Sequence, residues 1–295
     1  MTGFKDILVH VDASAAGQVR LQRSADLAAR HGARLNALYV RERSIAQQRR
    51  LKSSELGLVP GAQASSLRAS IENELDAQAG CLRARLDELG RAYGIEVAWQ
   101  AGEGRARFVV PQHARYADLT LVGHDTQEDA DLPEEYSFAE TVLFTTGRPV
   151  LIVPQDVAEE DVDLESVSAL GRKIALAWNG SPACARAFSA VLPLIERADW
   201  TTVLIVEGDE SARPERLPLE AVLDHVRRHT DKVELRALAP TGAPMGDLLQ
   251  GAALDQGADL LIAGAHGRPM LWEKLLGSVT RTLLTDIKLP LAMCG

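Results

Sequence analysis

The stretch Asp259-Leu-Leu-Ile-Ala-Gly264-Ala-His-Gly267-Arg-Pro-Met-Leu-Trp-Glu-Lys-Leu-Leu-Gly277-Ser278 decides how the chain is organised. Its apolar beginning predicts a buried parallel strand, and the residues after it are typical of a helix. Gly264 and Gly267 allow a tight turn and close backbone approach to a ligand. Gly277 and Ser278 stand where a helix N-terminus offers free N–H groups, a hydroxyl and the positive end of its dipole. The stretch therefore predicts a phosphate-binding loop.

Outward from this loop, apolar strands alternate with helical segments along the chain. The predicted strands are residues 5–11, 34–40, 95–99, 118–122, 149–153, 172–178, 201–206, 232–238, 259–263 and 290–294. Helices are predicted between them, whereas the polar, arginine-rich residues 41–65 are predicted to form a loop. This alternation predicts an α/β fold in which parallel strands carry helices on both faces and ligands bind at the carboxyl ends of the strands.

The order of elements begins again near residue 172, which indicates an internal duplication. Gly123, Ser137 and Pro149 match Gly264, Ser278 and Pro290 at one constant offset along the chain. The acidic residues between the halves lack a long apolar run and are predicted to be a linker. We therefore expect two tandem five-stranded domains, residues 1–154 and 172–295, joined by a linker at 155–171.

Composition and charge narrow the classes of function. The 295 residues are 46% hydrophobic and 25% charged, and the formal net charge is −9. A negative chain without a basic stripe does not favour nucleic-acid or membrane-surface binding. Cys81, Cys184 and Cys294 are scattered without metal-ligand spacing, which is typical of a reducing compartment. No apolar run is long enough to span a membrane, so we expect a cytoplasmic protein.

The complete spacing Gly-x2-Gly-x9-Gly-Ser resembles the nucleotide loop of ATP-binding universal stress proteins. Tandem members of that family share the two-domain layout, and the resemblance covers nearly the whole chain. It implies a Rossmann-like fold, a role in the stress response, and a bound adenine nucleotide such as ATP, with or without Mg²⁺. It also implies that the last strands of the two domains pair, making an intramolecular pseudo-dimer. Association into a homodimer and the identity of a protein partner stay open.

The resemblance places the nucleotide site in the second half. The implied residues are Asn179, Val206, Gly264, His266, Gly267, Arg268, Gly277, Ser278 and Val279. Asn179 departs from the family pattern, because ATP-binding members usually have an aspartate there, next to the adenosine. Its amide still donates and accepts hydrogen bonds. Val206 would meet the adenine through its backbone.

The first half keeps the aspartate, as Asp12, but its loop is altered. Thr126 stands where the second half has Gly267, and Tyr136 stands where it has Gly277. Residues 124–135 contain six carboxylates and no lysine or arginine, while residues 265–276 contain two such cations and one carboxylate. Side chains and negative charge both oppose a bound polyphosphate. We expect this half not to bind nucleotide and to serve as a packing partner.

Several candidate residues have an alternative structural interpretation. His266 and Arg268 either approach a phosphate or point into solvent. Asp12 and Asn179, each with the serine two residues later, either contact a ligand or cap the next helix. Trp178 is interpreted as core packing rather than as a stacking surface for a base.

Catalysis has little support in the sequence. It lacks a G-x-S-x-G elbow and a P-loop lysine, and it has no paired carboxylates near the loop. His225 and His229 are four residues apart without a third metal ligand nearby. Three hypotheses follow. They are a nucleotide-binding stress regulator, a scaffold of the same fold that acts through protein contacts, and a slow nucleotide hydrolase.

Overall fold

The computed structural model describes residues 3–43, 45–56, 61–124, 137–155, 167, 169–207, 219–265 and 278–295. The strands in these ranges are β1 (Asp6–Val11), β2 (Arg34–Arg41), β3 (Val97–Glu103), β4 (Leu119–Gly123), β5 (Val150–Val153), β6 (Lys173–Ala177), β7 (Trp200–Val206), β8 (Val233–Leu238), β9 (Leu260–Gly264) and β10 (Leu291–Cys294). The helices are α1 (Ala15–His31), α2 (Ile45–Glu55), α3 (Gly61–Tyr93), α4 (Ala106–Ala114), α5 (Phe138–Thr146), α6 (Pro182–Ala190), α7 (Leu192–Arg197), α8 (Leu219–Arg227), α9 (Met245–Asp255) and α10 (Ser278–Thr285). Each predicted strand is found, although β3 begins and ends later than residues 95–99.

Within the described residues, the strands form one sheet in the order β3-β2-β1-β4-β5-β10-β9-β6-β7-β8. The first five strands pair in parallel with one another, and so do the last five. Buried apolar side chains form a core on each face of the sheet, and each core contains residues from both halves. The α/β fold with a mostly parallel sheet is therefore confirmed.

The two halves meet where β5 and β10 pair antiparallel, with Leu151 opposite Ala292. The pairing of last strands, which the resemblance implies, is thus present within one chain. A second link is a hydrogen bond of 2.8 Å from His124 Nε2, just after β4, to the carbonyl oxygen of Leu284 in α10. The division into residues 1–154, 155–171 and 172–295 stays a prediction, because 156–166 and 168 lie outside the described residues.

The prediction of a loop at residues 41–65 is wrong, because this segment contains α2 and the beginning of α3. The described side chains of α2 are exposed or partly exposed, so the segment has no apolar stripe by which a helix would be recognised, and ion pairs hold the residues that lead into it. Arg41 pairs with Glu72 and Asp76 of α3, and Arg43 also reaches Glu72 at 2.8 Å. Charged partners distant in sequence leave no periodic signal.

The apolar spacing of Ala185, Phe188, Val191 and Leu194 predicts one helix after β6, and this prediction is also wrong, because the structure has α6 and α7 separated at Val191. Val191 adopts φ −109° and ψ 13°, outside the helical region. Pro193 follows within the first turn of α7, where the missing N–H of proline costs no helical hydrogen bond. Proline in the interior of one long helix would have removed such a bond, so the chain starts a new helix instead.

Candidate functional site

Each half of the sheet has a topological switch point at its centre. In the first half, β1 pairs with β2 on one side and with β4 on the other. In the second half, β6 pairs with β7 on one side and with β9 on the other. Ligands of open α/β sheets bind outside the carboxyl ends of the strands at such a point. The molecule therefore has two candidate sites, one in each half.

Three of the predicted site residues lie at the carboxyl edge of the second half. Asn179 follows β6, Val206 ends β7 and Gly264 ends β9, and these strands are neighbours. Ser278 begins α10, and Val279 packs against the buried apolar cluster that includes Val206 and Leu283. The remaining predicted site residues lie outside the described residues, and they are His266, Gly267, Arg268 and Gly277.

Cys184 lies between Asn179 and Gly264 and contacts both. Its thiol is 3.1 Å from Asn179 Oδ1, to which it donates. Its backbone nitrogen would lie 2.5 Å from a Cβ added at Gly264. Cys184 is in the first turn of α6, which Ser181 caps by accepting the Cys184 N–H at 3.2 Å. Sequence reasoning treated Cys184 only as a scattered cysteine, because its contacts come from separate strands.

The packing around Gly264 changes the interpretation of the first loop glycine. A Cβ at this position would lie within 2.5–2.6 Å of backbone atoms of Cys184 and Ala183. Backbone atoms of a capped helix cannot move aside as a flexible side chain can, so only glycine fits. The structure therefore requires Gly264 for the approach of β9 to α6, independently of any ligand.

The first candidate site is filled by a side chain that sequence reasoning missed. Arg20 of α1 is 1% exposed, and its guanidinium pairs with Asp12 at the end of β1. Its Nε donates to the carbonyl oxygen of His10 at 2.8 Å. A Cβ added at Gly123 would lie 2.5 Å from Arg20 Nη1. The guanidinium thus lies between the ends of β1 and β4, at the switch point itself.

The charges at this filled site shift two pKa values. Burial works to raise the pKa of Asp12, but Arg20, His10 and hydrogen bonds from Ser14 together hold it below its usual value. Burial, aided by the positive charge of Arg20, lowers the pKa of His10 to about 4. His10 is therefore neutral at physiological pH, and Asp12 is the counter-ion of Arg20. One signal for this arrangement existed in the sequence, a lone arginine between the apolar Val19 and Leu21 of α1.

The second half has no counterpart of Arg20. Ala187 stands as many residues beyond Asn179 as Arg20 stands beyond Asp12, and it is fully buried. A methyl group cannot reach from α6 to the carboxyl edge of the sheet. The two switch points therefore differ in kind: in the first half Arg20 pairs with an aspartate, and in the second half no cation among the described residues pairs with the asparagine.

Other residues considered from the sequence have structural roles. The ring of Trp178 packs edge-on against Phe188 with centroids 6.4 Å apart, which agrees with core packing. His225 and His229 contact the same phenylalanine ring. Across the described ranges, no group of three or more His, Cys, Asp or Glu side chains is arranged to hold a metal ion. No described helix has both the length and the apolar character needed to cross a bilayer.

Two solved structures share the fold over nearly the whole chain. A universal stress protein from Archaeoglobus fulgidus DSM 4304 aligns with 98% of this chain and 95% of its own, at 15% identity and a TM-score of 0.67. A functionally unknown protein from Pseudomonas aeruginosa PAO1 aligns with 99% of this chain and 92% of its own, at 12% identity and a TM-score of 0.53. A universal stress protein in complex with cAMP aligns with 52% of this chain and 99% of its own, at 18% identity and a TM-score of 0.33.

Sequence comparison gives two further findings. A search of curated proteins finds no significant match. The model of the universal stress protein family matches residues 3–154, the half in which Arg20 fills the switch point. Because this match spans more than half of the chain, the protein belongs to the universal stress protein family.

Proposed function

We propose that the protein binds ATP or another adenine nucleotide in its second half and acts as a regulator or sensor in the stress response. One observation carries this proposal. β9, which pairs with β6 at the switch point, ends at Gly264, and in the sequence the glycine loop joins this strand end to the first residue of α10. A loop of that spacing at that place in an α/β sheet suits a phosphate group.

The described side chains at this edge suit a neutral or anionic ligand. Asn179 carries no charge, and the position that matches Arg20 holds only Ala187. The sequence between β9 and α10 contains two cations, Arg268 and Lys274, and one carboxylate, Glu273. A cationic loop attracts a polyphosphate, and we propose His266, Arg268, Gly267 and Gly277 as its contacts there.

We assign no nucleotide to the first half. Its switch point already contains the guanidinium of Arg20, which is paired with Asp12 and packed against Gly123. A ligand would have to displace a buried guanidinium from its carboxylate partner, and the acidic sequence of residues 125–135 would repel its phosphates. In this proposal the half serves as a packing partner, which joins the second half through β5 and β10.

The regulatory step follows from linkage. A nucleotide that binds one conformation of the chain more tightly than another shifts the population toward the first. α10 begins at the loop, and its Leu284 carbonyl accepts the hydrogen bond from His124 of the other half. A change in the loop would therefore reach both halves through one helix. We propose that a cytoplasmic protein partner recognises the bound state.

A scaffold that acts through protein contacts without nucleotide is the second candidate. Two observations favour it, namely Asn179 in place of the usual aspartate and the packing requirement that accounts for Gly264 without a ligand. Slow hydrolysis of ATP is a third candidate, but no described residue is assigned as its base. Turnover above that of a binding-defective variant would be needed to support it.

The experiment is calorimetric titration of the nucleotide-free chain with ATP, with and without Mg²⁺. The altered chain carries Gly277→Asp, which puts a charged side chain at the proposed phosphate contact. Its matched control is Tyr136→Asp, the same residue at the equivalent position of the first half. We expect one site per chain, lost in Gly277→Asp and kept in Tyr136→Asp. Equal loss in both variants would contradict the asymmetry, and no binding by the unaltered chain would favour the scaffold.

A further inference from the structure

The orientation of the Asn179 amide at the second switch point is fixed by its neighbours. The backbone N–H of Ser181 lies 3.1 Å from Oδ1, and the Cys184 thiol lies at the same distance. A backbone N–H can only donate, so the amide atom that faces it must be the oxygen. The flipped amide, with oxygen and nitrogen exchanged, has nearly the same shape, but it would put two donors against each other and is therefore excluded.

This orientation turns the amino group of Asn179 away from α6. Among the described residues, Nδ2 has no hydrogen-bond partner, and the side chain is partly exposed at the carboxyl edge. The amide thus uses its oxygen as the acceptor that holds the turn before α6, and its two N–H groups donate to none of the residues that the structure describes. Donors at a switch point are suited to an acceptor on a ligand.

The first half shows what an aspartate does in the same turn. Asp12 Oδ1 accepts the Ser14 N–H at 3.0 Å, which matches the bond from Ser181 to Asn179. Its second oxygen, Oδ2, pairs with Arg20. The atom equivalent to that oxygen is the Nδ2 of Asn179. The two halves therefore share the first hydrogen bond and differ at one atom: in the first half an acceptor paired with a cation, and in the second half a donor that has no partner in the part of the chain that the structure describes.

We infer that Asn179 determines specificity by donating from Nδ2 to a hydrogen-bond acceptor of the bound nucleotide, namely a ring nitrogen or an uncharged oxygen of the nucleoside. This inference rests on the proposed function. It goes beyond that function because it specifies that the ligand atom facing the Asn179 side chain is a hydrogen-bond acceptor and not a donor. An aspartate there would require a donor from the ligand, so the asparagine is a change in recognition rather than a tolerated loss.

The test is the substitution Asn179→Asp, which exchanges Nδ2 for an oxygen of the same size. The fold should survive, because the new carboxylate can still accept from Ser181 and Cys184, as Asp12 accepts from Ser14. The unaltered chain and the variant are titrated with ATP and with uncharged adenosine. Gln112→Glu, at an exposed position of α4 in the first half, is the matched control, since it makes the same amide-to-acid change outside the proposed site.

We expect Asn179→Asp to weaken the binding of both ligands by about tenfold, because two acceptors then face each other, while Gln112→Glu binds as the unaltered chain does. Equal or tighter ATP binding by Asn179→Asp would overturn the inference, since the ligand would then be donating. Weaker binding of ATP with tighter binding of adenosine would also overturn it, because charge repulsion would account for the loss. Absence of binding by the unaltered chain would instead refute the proposed function, and this inference with it.

Discussion

Arg20 lies so close to Gly123 that a methyl group on this glycine would be 2.5 Å from the guanidinium nitrogen Nη1. The arginine comes from α1 and the glycine from the end of β4, so their contact closes the space between β1 and β4. In the second half, the matching residues are Ala187 and Gly264, and Gly264 is approached by the α6 backbone instead. The switch point of the first half is thus closed by the Arg20 side chain, whereas at that of the second half the described residues place the α6 backbone against the glycine.

The first prediction concerns Arg20. The substitution Arg20→Ala removes the cation but leaves Asp12, so we expect the free energy of unfolding to fall by about 3 kcal/mol. The loss should lie at the low end for buried ion pairs, because the Asp12 side chain is 39% exposed. Urea unfolding at pH 7 measures it. The double variant Asp12→Asn with Arg20→Leu should recover part of the loss, and a double variant as unstable as Arg20→Ala would contradict the role of the charge.

The second prediction concerns the pH dependence of stability and His31. His31 is 3% exposed, neither ring nitrogen has a hydrogen-bond partner within the described residues, and burial lowers its pKa from 6.5 to about 4. Between pH 6.5 and 4 the unfolded chain is protonated at this residue and the folded chain is not. Stability therefore falls as the pH falls through this window, by up to about 3 kcal/mol, and the contribution levels off below pH 4.

The measurement is the free energy of unfolding as a function of pH for the unaltered chain and for His31→Phe. The phenylalanine cannot be protonated and can keep the ring contact with Phe4, whose centroid lies 5.0 Å from that of His31. We expect the variant to lose less stability than the unaltered chain between pH 6.5 and 4. Part of the slope will persist, because the pKa of His10 is also lowered to about 4. An unchanged slope in His31→Phe would contradict the assignment.

The third prediction separates packing from ligand binding at Gly264. The substitution Gly264→Ala puts a methyl group against the backbone of Cys184, so we expect a loss of about 1–3 kcal/mol in the absence of any nucleotide. Gly251→Ala is the control, since this helical glycine has no atom within 4 Å of an added Cβ and alanine favours helix. It should leave stability unchanged or raise it. Full stability of Gly264→Ala would contradict the packing role.

The correct predictions from sequence concern local patterns. Apolar runs bounded by polar residues predict the strands, because a strand buried on both faces is apolar along its length. Ser14 and Ser181 cap α1 and α6, as short polar residues do at a strand-to-helix turn. The repeated order of elements, with a resemblance to one family, also leads to the pairing of β5 with β10. Each of these inferences uses a local sequence pattern or the recurrence of such a pattern later in the chain.

The incorrect predictions concern segments held by distant partners. α2 was predicted as a loop because it lacks an apolar stripe, and ion pairs from Arg41 and Arg43 to α3 support the segment that leads into it. The break at Val191 was missed because the apolar pattern continues across it. The spacing of apolar residues indicates which side of one helix is buried. It does not detect ion pairs with residues distant in the sequence or a change of helix axis.

The sequence by itself therefore determined the α/β class and the alternating order of strands and helices, since these depend on residue type and spacing. Only the tertiary structure decided what lies at each switch point. Arg20 fills the first because α1 carries its side chain to Asp12 and Gly123. At the second, α6 fixes the amide of Asn179 and requires glycine at 264. These contacts join residues from separate strands and helices, and the distances between such elements are set by packing.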